Sequence, residues 1–286
     1  MKQGTLLMRH AKSEHNFLIH TIQQDPDSRE INKGLLVLED EFRKGRNFPH
    51  SIVSRLKTLV DNIRDRYDLK EFWDDSKINL HEDGKSDIKS LAIKLNTILT
   101  KPINQTLISP FERVSQSFEI LQKHCHWFRD TEVTVEERFR EQSWGKFQKW
   151  PDFGAYFAMH PEEFKNFISS GYSFQDFWKS SFMFYEFPEG ESSLTHVRSR
   201  VSEAIDEYKE KNNVDETAII SHSASMLWKA LNLEGFVGEA KDIIEKRESY
   251  SVSPAGILEY RKDSNGIFTL KRKIEIENNE TKIQLF

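Results

Sequence analysis

Thr5-Leu6-Leu7-Met8-Arg9-His10-Ala11-Lys12-Ser13-Glu14-His15-Asn16 opens as a short apolar run of the kind that forms a buried strand. It then changes abruptly to an Arg-His pair followed by small and polar residues. A buried strand ending in Arg-His delivers a guanidinium and an imidazole to the carboxyl edge of a sheet, where open α/β sheets bind their ligands. Ser13, Glu14 and Asn16 suit the first turn of a helix, whose free N–H groups favour anions. The stretch reads as a phosphate site with His10 as nucleophile.

Working outward, the same design returns at Thr217-Ala218-Ile219-Ile220-Ser221-His222, again an apolar strand ending at a histidine. Gln105-Thr106-Leu107-Ile108-Ser109-Pro110 is a further strand, and the helix after it carries Arg113 in its first turns. The β-branched run Thr131 to Val135 predicts another strand, leading into Glu137-Arg138-Phe139-Arg140-Glu141-Gln142-Ser143-Trp144-Gly145. Helical spacing runs through Ile88, Leu91, Ala92 and Leu95, and again through Val197, Val201 and Ile205. In the tail, Gly256 to Tyr260 and Ile267 to Leu270 form a plausible hairpin around Asn265-Gly266. Strands alternating with helices predict one α/β domain over 1–286, with three layers: a mostly parallel central sheet and helices on both faces.

Two segments stand apart. Residues 17–79 are strongly charged and mostly helical in pattern, with Ile52, Val53, Leu56, Leu59 and Val60 at helix spacing and breaks at Asp25-Pro26-Asp27 and from Gly45 to Pro49. Residues 151–187 are crowded with aromatics, with nine phenylalanines and no arginine. So apolar a stretch must pack on something. It reads as a helical cap whose inner face shapes a substrate pocket, with a satellite core as the competing reading.

Hydrophobic content of 37%, charged content of 30% and a net charge of -5 describe an ordinary globular chain. They give no reason to expect nucleic acid or an anionic membrane as the main partner. The lone Cys125 rules out an internal disulfide framework and suits a reducing compartment. The N-terminal apolar run stops at Met8, which is too short for a signal peptide, and no stretch approaches the ~20 apolar residues of a membrane span. A cytoplasmic location is expected. His124-Cys125-His126 are consecutive, with no second pair at zinc spacing, and fit a helix end better than a metal site.

Three strand ends thus carry Arg9-His10, Arg113 and His222, and a fourth group, the carboxylate of Glu141, follows the third strand, Thr131 to Val135. At this point the chain resembles the histidine phosphatase superfamily, in its phosphoglycerate mutase-like branch. The family's RHG-x-[ST]-x-x-N signature is matched from Arg9 to Asn16, with Ala11 in place of glycine. Leu80-His81-Glu82-Asp83-Gly84 is similar to its L-[TS]-x-x-G helix start. Ser109 to Ser117 match S-P-x-x-R-x-x-Q-[ST], and Arg138 to Gly145 resemble R-x-x-E-x-x-x-G. Pro188-Glu189-Gly190-Glu191-Ser192 match P-x-G-E-S, and Ser221-His222-Ser223 match S-H-G with Ser223 in place of glycine. Alanine and serine are tolerable at both positions if the local φ is negative. The resemblance covers residues 4–16 and 80–260 and leaves 17–79 as an insertion.

The resemblance implies a metal-independent phosphomonoesterase with no cofactor. His10 would attack phosphorus and become phosphohistidine. Arg9 and Arg113 would clamp the non-bridging oxygens. His222 would donate a hydrogen bond to the same oxygens. Glu141, in a segment that also holds Glu136 and Glu137, would be general acid and then base. Ser13, Asn16, Trp144 and Ser223 are expected as substrate contacts, although helix capping explains Ser13 and Asn16 equally well. The substrate is expected to be a phosphorylated small molecule or a phosphoprotein. A phosphoglycerate-type mutase is the alternative, followed by a silent phosphate-binding protein. A mutase needs additional cations in its cap, whereas 151–187 holds no arginine, and it would carry tyrosine where Trp144 stands.

Overall fold

The computed structural model describes residues 4–69, 75–150, 152–177, 185–211, 216–236, 238, 242–243, 246, 249–265, 267–277 and 280–286. In chain order the main elements are β1 (Gly4–Arg9), α1 (Glu14–Gln24), α2 (Pro26–Arg43), α3 (His50–Arg66), α4 (Glu82–Ile98), β2 (Gln105–Ile108), α5 (Glu112–His124), β3 (Glu132–Val135), α6 (Phe153–Met159), α7 (Pro161–Ser169), α8 (Arg198–Lys211), β4 (Glu216–Ser221), α9 (Ser223–Leu233), β5 (Ile257–Lys262), β6 (Phe268–Glu277) and β7 (Glu280–Leu285). They form two compact units: residues 1–14, 75–142 and 195–286, and residues 15–74 and 143–194.

The first unit is built on a seven-stranded sheet in the order β3-β2-β4-β1-β5-β6-β7. The strands β3, β2, β4 and β1 run parallel, and β5, β6 and β7 continue antiparallel. Side chains alternate across a strand. Leu6 and Met8 of β1, Ala218 and Ile220 of β4 and Ile108 of β2 therefore share one face, and they cluster with Ile88, Leu91 and Leu95 of α4 and Val114, Phe118 and Leu121 of α5. On the other face, the Thr5 hydroxyl lies 3.1 Å from that of Tyr208 on α8. Both faces are covered, which is why β1 and β4 read as near-continuous apolar runs. The fold is the expected α/β sheet with helices on both faces. The tail exceeds the expected hairpin: β6 extends to Glu277 and β7 adds an edge strand. Its polar residues, alternating with Ile283 and Leu285, suit a strand open to water, and this weak signal hid it. Gly266 of the expected turn lies outside the described residues.

The second unit unites the two segments that stood apart in the sequence. Helices α2, α3, α6 and α7 pack on one another. Leu35, Leu56 and Val60 are buried there, as are Phe147, Tyr156, Phe157, Phe164 and Phe167. The rings interlock: Phe147 stacks on Tyr156 at 3.8 Å and Phe157 meets Phe164 and Phe167 at 5.0 Å each. Asp152 caps α6 through the Ala155 N–H at 2.7 Å and accepts from Ser28 of α2 at 3.0 Å. Residues 70–74, 151 and 178–184 of these segments lie outside the described residues. Among the described residues, no helix is long and apolar enough to cross a membrane.

In the first unit the chain after β1 is stapled by backbone to the start of α4. His81 N donates to Lys12 O and Glu14 N to Asn79 O, each at 3.0 Å, around an antiparallel bridge between Ser13 and Leu80. Gly84 permits this approach, because a Cβ there would lie 2.0 Å from the Lys12 carbonyl oxygen. Gly84→Ala is therefore expected to lower the unfolding free energy by about 1–3 kcal/mol. Urea titration checks it; an unchanged midpoint would show that the contact can relax at no cost.

Candidate active site

The adjacency of β2, β4 and β1 sets the site. Arg9 registers with Ser221, and Ile108 with Ile220. The ladder continues one step past the strands, with His10 N donating to Ser221 O at 2.9 Å and Ser109 N to Ile220 O at 3.1 Å. Three strand ends thus emerge side by side, carrying His10, Ser109 and His222. The 252–256 loop holds the Arg-His pair from the opposite side. Arg9 N donates to Gly256 O at 3.0 Å, Ala255 N to His10 O at 3.1 Å, and the Arg9 Nη1 to Val252 O at 3.0 Å. Ala255 adopts φ +63° to close this loop, an uncommon conformation for a residue with a Cβ.

His10 is buried, with its Nδ1 2.6 Å from the Ala11 carbonyl and its Nε2 3.3 Å from the Arg113 Nε. A carbonyl can only accept and a guanidinium can only donate. The two contacts together select the neutral tautomer, with hydrogen on Nδ1 and the lone pair on Nε2. Burial, then the charges of Arg113 and Arg9, hold the imidazole pKa well below its ordinary value, against the opposing pull of the Ala11 carbonyl. The Ala11 N–H donates to Ser117 Oγ at 3.1 Å, and that hydroxyl donates to Arg113 O at 2.7 Å. His10 and Arg113 are thus fixed through one serine.

Arg113 enters from the first turn of α5 and is buried, with its guanidinium 4.9 Å from the Phe111 ring centre. Its Nη1 donates to the Asp75 carbonyl at 2.6 Å and to Asp75 Oδ1 at 3.0 Å, and its Nη2 donates to Oδ2 at 3.2 Å. His222 is fully buried and meets His10 edge-on at 5.1 Å. Its Nε2 lies 2.7 Å from Ser109 Oγ, and its Nδ1 lies 3.6 Å from Glu141 Oε2 without a hydrogen bond. Burial first, and then Arg113, push its pKa well down.

Glu141 sits on a loop pinned by Arg200 of α8, which donates to the carbonyls of Arg138, Arg140 and Glu141 at 2.5, 2.9 and 3.2 Å. One of its carboxylate oxygens accepts from Gln142 N at 3.0 Å. Burial raises its pKa and Asp75 adds to the rise, while Arg113, the Gln142 N–H and Arg9 oppose it. Beneath β4, Lys229 is fully buried with its Nζ 2.5 Å from Ser221 Oγ and 2.6 Å from Ser225 Oγ, under the Phe139 ring at 4.4 Å. Burial drives its pKa well down.

The structure therefore gathers Arg9, His10, Arg113, Glu141 and His222 in one unit. Ser13 is buried beside them in the bridge to Leu80. Ser223 opens α9 and is exposed. Asn16 and Trp144 belong to the second unit, where the Trp144 ring packs edge-on to Phe153 at 5.5 Å and Phe187 at 4.9 Å. Neither Ala11 nor Ser223 has a positive φ, so neither position demands glycine. Sequence reasoning missed Asp75, Arg200 and Lys229 as parts of this network. Lys229 left a signal, since it sits among Met226, Ala230 and Leu233 on a helix with no other charge. Asp75 and Arg200 lie in charged stretches where nothing marks them.

His10, Glu141 and His222 could also offer three metal ligands, their atoms lying within 4.8 Å of one another. The guanidinium groups of Arg9 and Arg113 beside them make the pocket better suited to an anion.

No curated protein matches the chain in sequence. Among solved structures, a candidate alpha-ribazole-5'-P phosphatase from Escherichia coli superposes with a TM-score of 0.58 at 12% identity, covering 95% of each chain. A mycobacterial glucosyl-3-phosphoglycerate phosphatase gives 0.53 at 11% identity, over 94% of this chain and 97% of the other. A mutant phosphoserine phosphatase from Entamoeba histolytica, in complex with phosphoserine, gives 0.54 at 14% identity over 94% of each. At such identities the likeness is one of fold. The family model of the histidine phosphatase superfamily (branch 1) matches residues 68–242, and with the strand-end constellation already described, the chain belongs to that superfamily.

Proposed function

We propose that the chain hydrolyses a phosphomonoester through a phosphohistidine on His10, without a metal. The observation that carries this reading is the neutral imidazole of His10, whose Nε2 lone pair faces the Arg113 guanidinium at 3.3 Å. Phosphorus, bonded to oxygens that the guanidinium groups hold, would stand in front of that lone pair.

In the first step the Nε2–P bond forms as the P–O bond to the leaving group breaks, and Glu141 gives its proton to the departing oxygen. In the second, water attacks phosphorus, its proton passes to Glu141, and the P–N bond breaks to release phosphate and neutral His10. Arg9 and Arg113 hold the non-bridging oxygens in both steps. If Ser109 donates to Nε2 of His222, then Nδ1 carries the hydrogen and is the nitrogen left to reach a phosphoryl oxygen. The raised pKa of Glu141 keeps the acid form available above the usual carboxylate range. All of these groups lie in the first unit. The segments 17–79 and 151–187 are read as insertions into a single domain, and the choice between a small phosphorylated molecule and a phosphoprotein falls to residues outside the constellation. The absence of arginine from 151–187 favours hydrolysis over a mutase, which must hold a second phosphate.

Turnover of a phosphomonoester panel is expected to persist in chelator and to vanish in His10→Ala, with an acid-labile phosphoenzyme trapped by rapid quench in the wild type alone. Chelator-sensitive turnover, or activity surviving in His10→Ala, would sink the mechanism. Isomerisation of 3-phosphoglycerate faster than its hydrolysis would favour the mutase. Glu141→Gln should cost about 10²–10⁴-fold in kcat for poor leaving groups.

The pH dependence follows from the shifts. Activity falls on the alkaline side as Glu141 loses its proton, at a pH above the ordinary carboxylate range. It falls on the acid side only when His10 takes a proton, well below the ordinary imidazole range. Long-range ¹H–¹⁵N spectra should find hydrogen on the His10 Nδ1 and none on Nε2 at neutral pH. Hydrogen on Nε2 would leave no lone pair for attack and would contradict this reading.

A further inference from the structure

We propose that Asp75 is a positioning residue, which holds one edge of the Arg113 guanidinium so that the other edge is presented to the phosphoryl group at His10. This rests on the reading of Arg113 as a phosphoryl clamp and goes beyond it, because Asp75 matches no motif of the resemblance and lies in the 17–79 segment.

A guanidinium has five N–H bonds in a fixed plane. Asp75 takes three: both of Nη1, to its backbone carbonyl and Oδ1, and one of Nη2, to Oδ2. The other two, on Nε and Nη2, share the opposite side of the plane, and without substrate the Nε–H donates to the His10 Nε2 lone pair. A carboxylate that blocked the site would occupy that second edge, and Asp75 does not. Its grip is through backbone as well as side chain, on a 3-10 turn spanning Asp75–Lys77. Arg113 is buried and Asp75 is partly so, with side-chain exposures of 4% and 14%. Removing one partner of such a pair leaves the other charged and uncompensated.

The carboxylate also acts on Glu141. Charges reaching Glu141 come from Arg9, Arg113 and Asp75, with His222 at 3.6 Å and the buried Lys229 on the far side. Asp75 is the negative one, and it supports the protonated form. Neutralising it therefore moves the Glu141 titration to lower pH.

The test compares wild type with Asp75→Asn and Asp75→Glu on p-nitrophenyl phosphate, with full pH profiles and orthovanadate as a ligand mimicking the transferring phosphoryl group. Asp75→Asn is expected to lose about 10–100-fold in kcat/KM, with weaker vanadate binding, and to shift its alkaline limb to lower pH. Asp75→Glu should recover part of both. A rise in kcat/KM or tighter vanadate in Asp75→Asn would make Asp75 an obstruction and overturn the proposal. Unchanged rates with an unmoved alkaline limb would overturn it too. If Asp75→Asn does not fold, the wild type decides. Its Arg113 Nη protons should remain slow to exchange with vanadate bound, and their release would mean that Asp75 leaves. Failure of wild type to form a phosphoenzyme would instead count against the mechanism on which this proposal stands.

Discussion

The imidazole of His10 has to stay neutral between two guanidinium groups, and much of the first unit is arranged around that constraint. Burial removes the water that would stabilise a cation, and Arg9 and Arg113 add repulsion. The Ala11 carbonyl takes the one hydrogen on Nδ1, so the lone pair has nowhere to be except Nε2. Burying a polar ring without a partner is costly. The backbone carbonyl lowers that cost and selects the tautomer in one contact. Lys229 and His222 share the condition, as buried bases whose protonation burial also disfavours.

Holding so many buried polar groups in place requires a rigid frame. The parallel ladder supplies it on one side, because three adjacent strands end within one step of each other. The 252–256 loop supplies it on the other, and accepts the left-handed conformation of Ala255 in order to reach both His10 O and the Arg9 backbone. Such backbone strain costs of order 1–3 kcal/mol and persists only where the surroundings impose it. Here it buttresses Arg9 and His10, and the buried apolar contacts of Ala255 and Ile257 offset it.

The strands, their order along the chain and the five converging groups were legible because each rests on a local signal. An apolar run ending in histidine declares both the strand and what it carries. Ala11 looked like a weakness, being where glycine is expected. The structure shows why it is harmless: the φ is not positive, and its methyl joins the core formed by Leu80, Ile88 and Val114. Gly84 was legible as part of a motif, while its purpose, clearance for the Lys12 carbonyl, is a matter of two backbones meeting across 72 positions. Asp75 and Arg200 were not legible at all. A charged residue inside a charged segment carries no periodicity, and only the folded chain reveals whose donors or carbonyls it meets. The union of 17–69 with 152–177 in one core was hidden for the same reason: each segment shows an apolar face, and neither says which other face it fits.

The charge balance of the pocket then follows from these placements. Arg9 and Arg113 bring two positive charges, and Asp75 returns one negative charge to the back of Arg113. His10 and His222 are neutral, and Glu141 is biased toward its acid form. The remaining positive charge is shared between Arg9 and the edge of Arg113 that faces His10. A phosphoryl dianion would find donors there. Because burial and the neighbouring Arg113 both oppose the charge of Arg9, a carboxylate behind Arg113 makes the pair sustainable before substrate arrives. Asp75 sits on the face of Arg113 turned away from His10, so it can supply that compensation without competing for the oxygens.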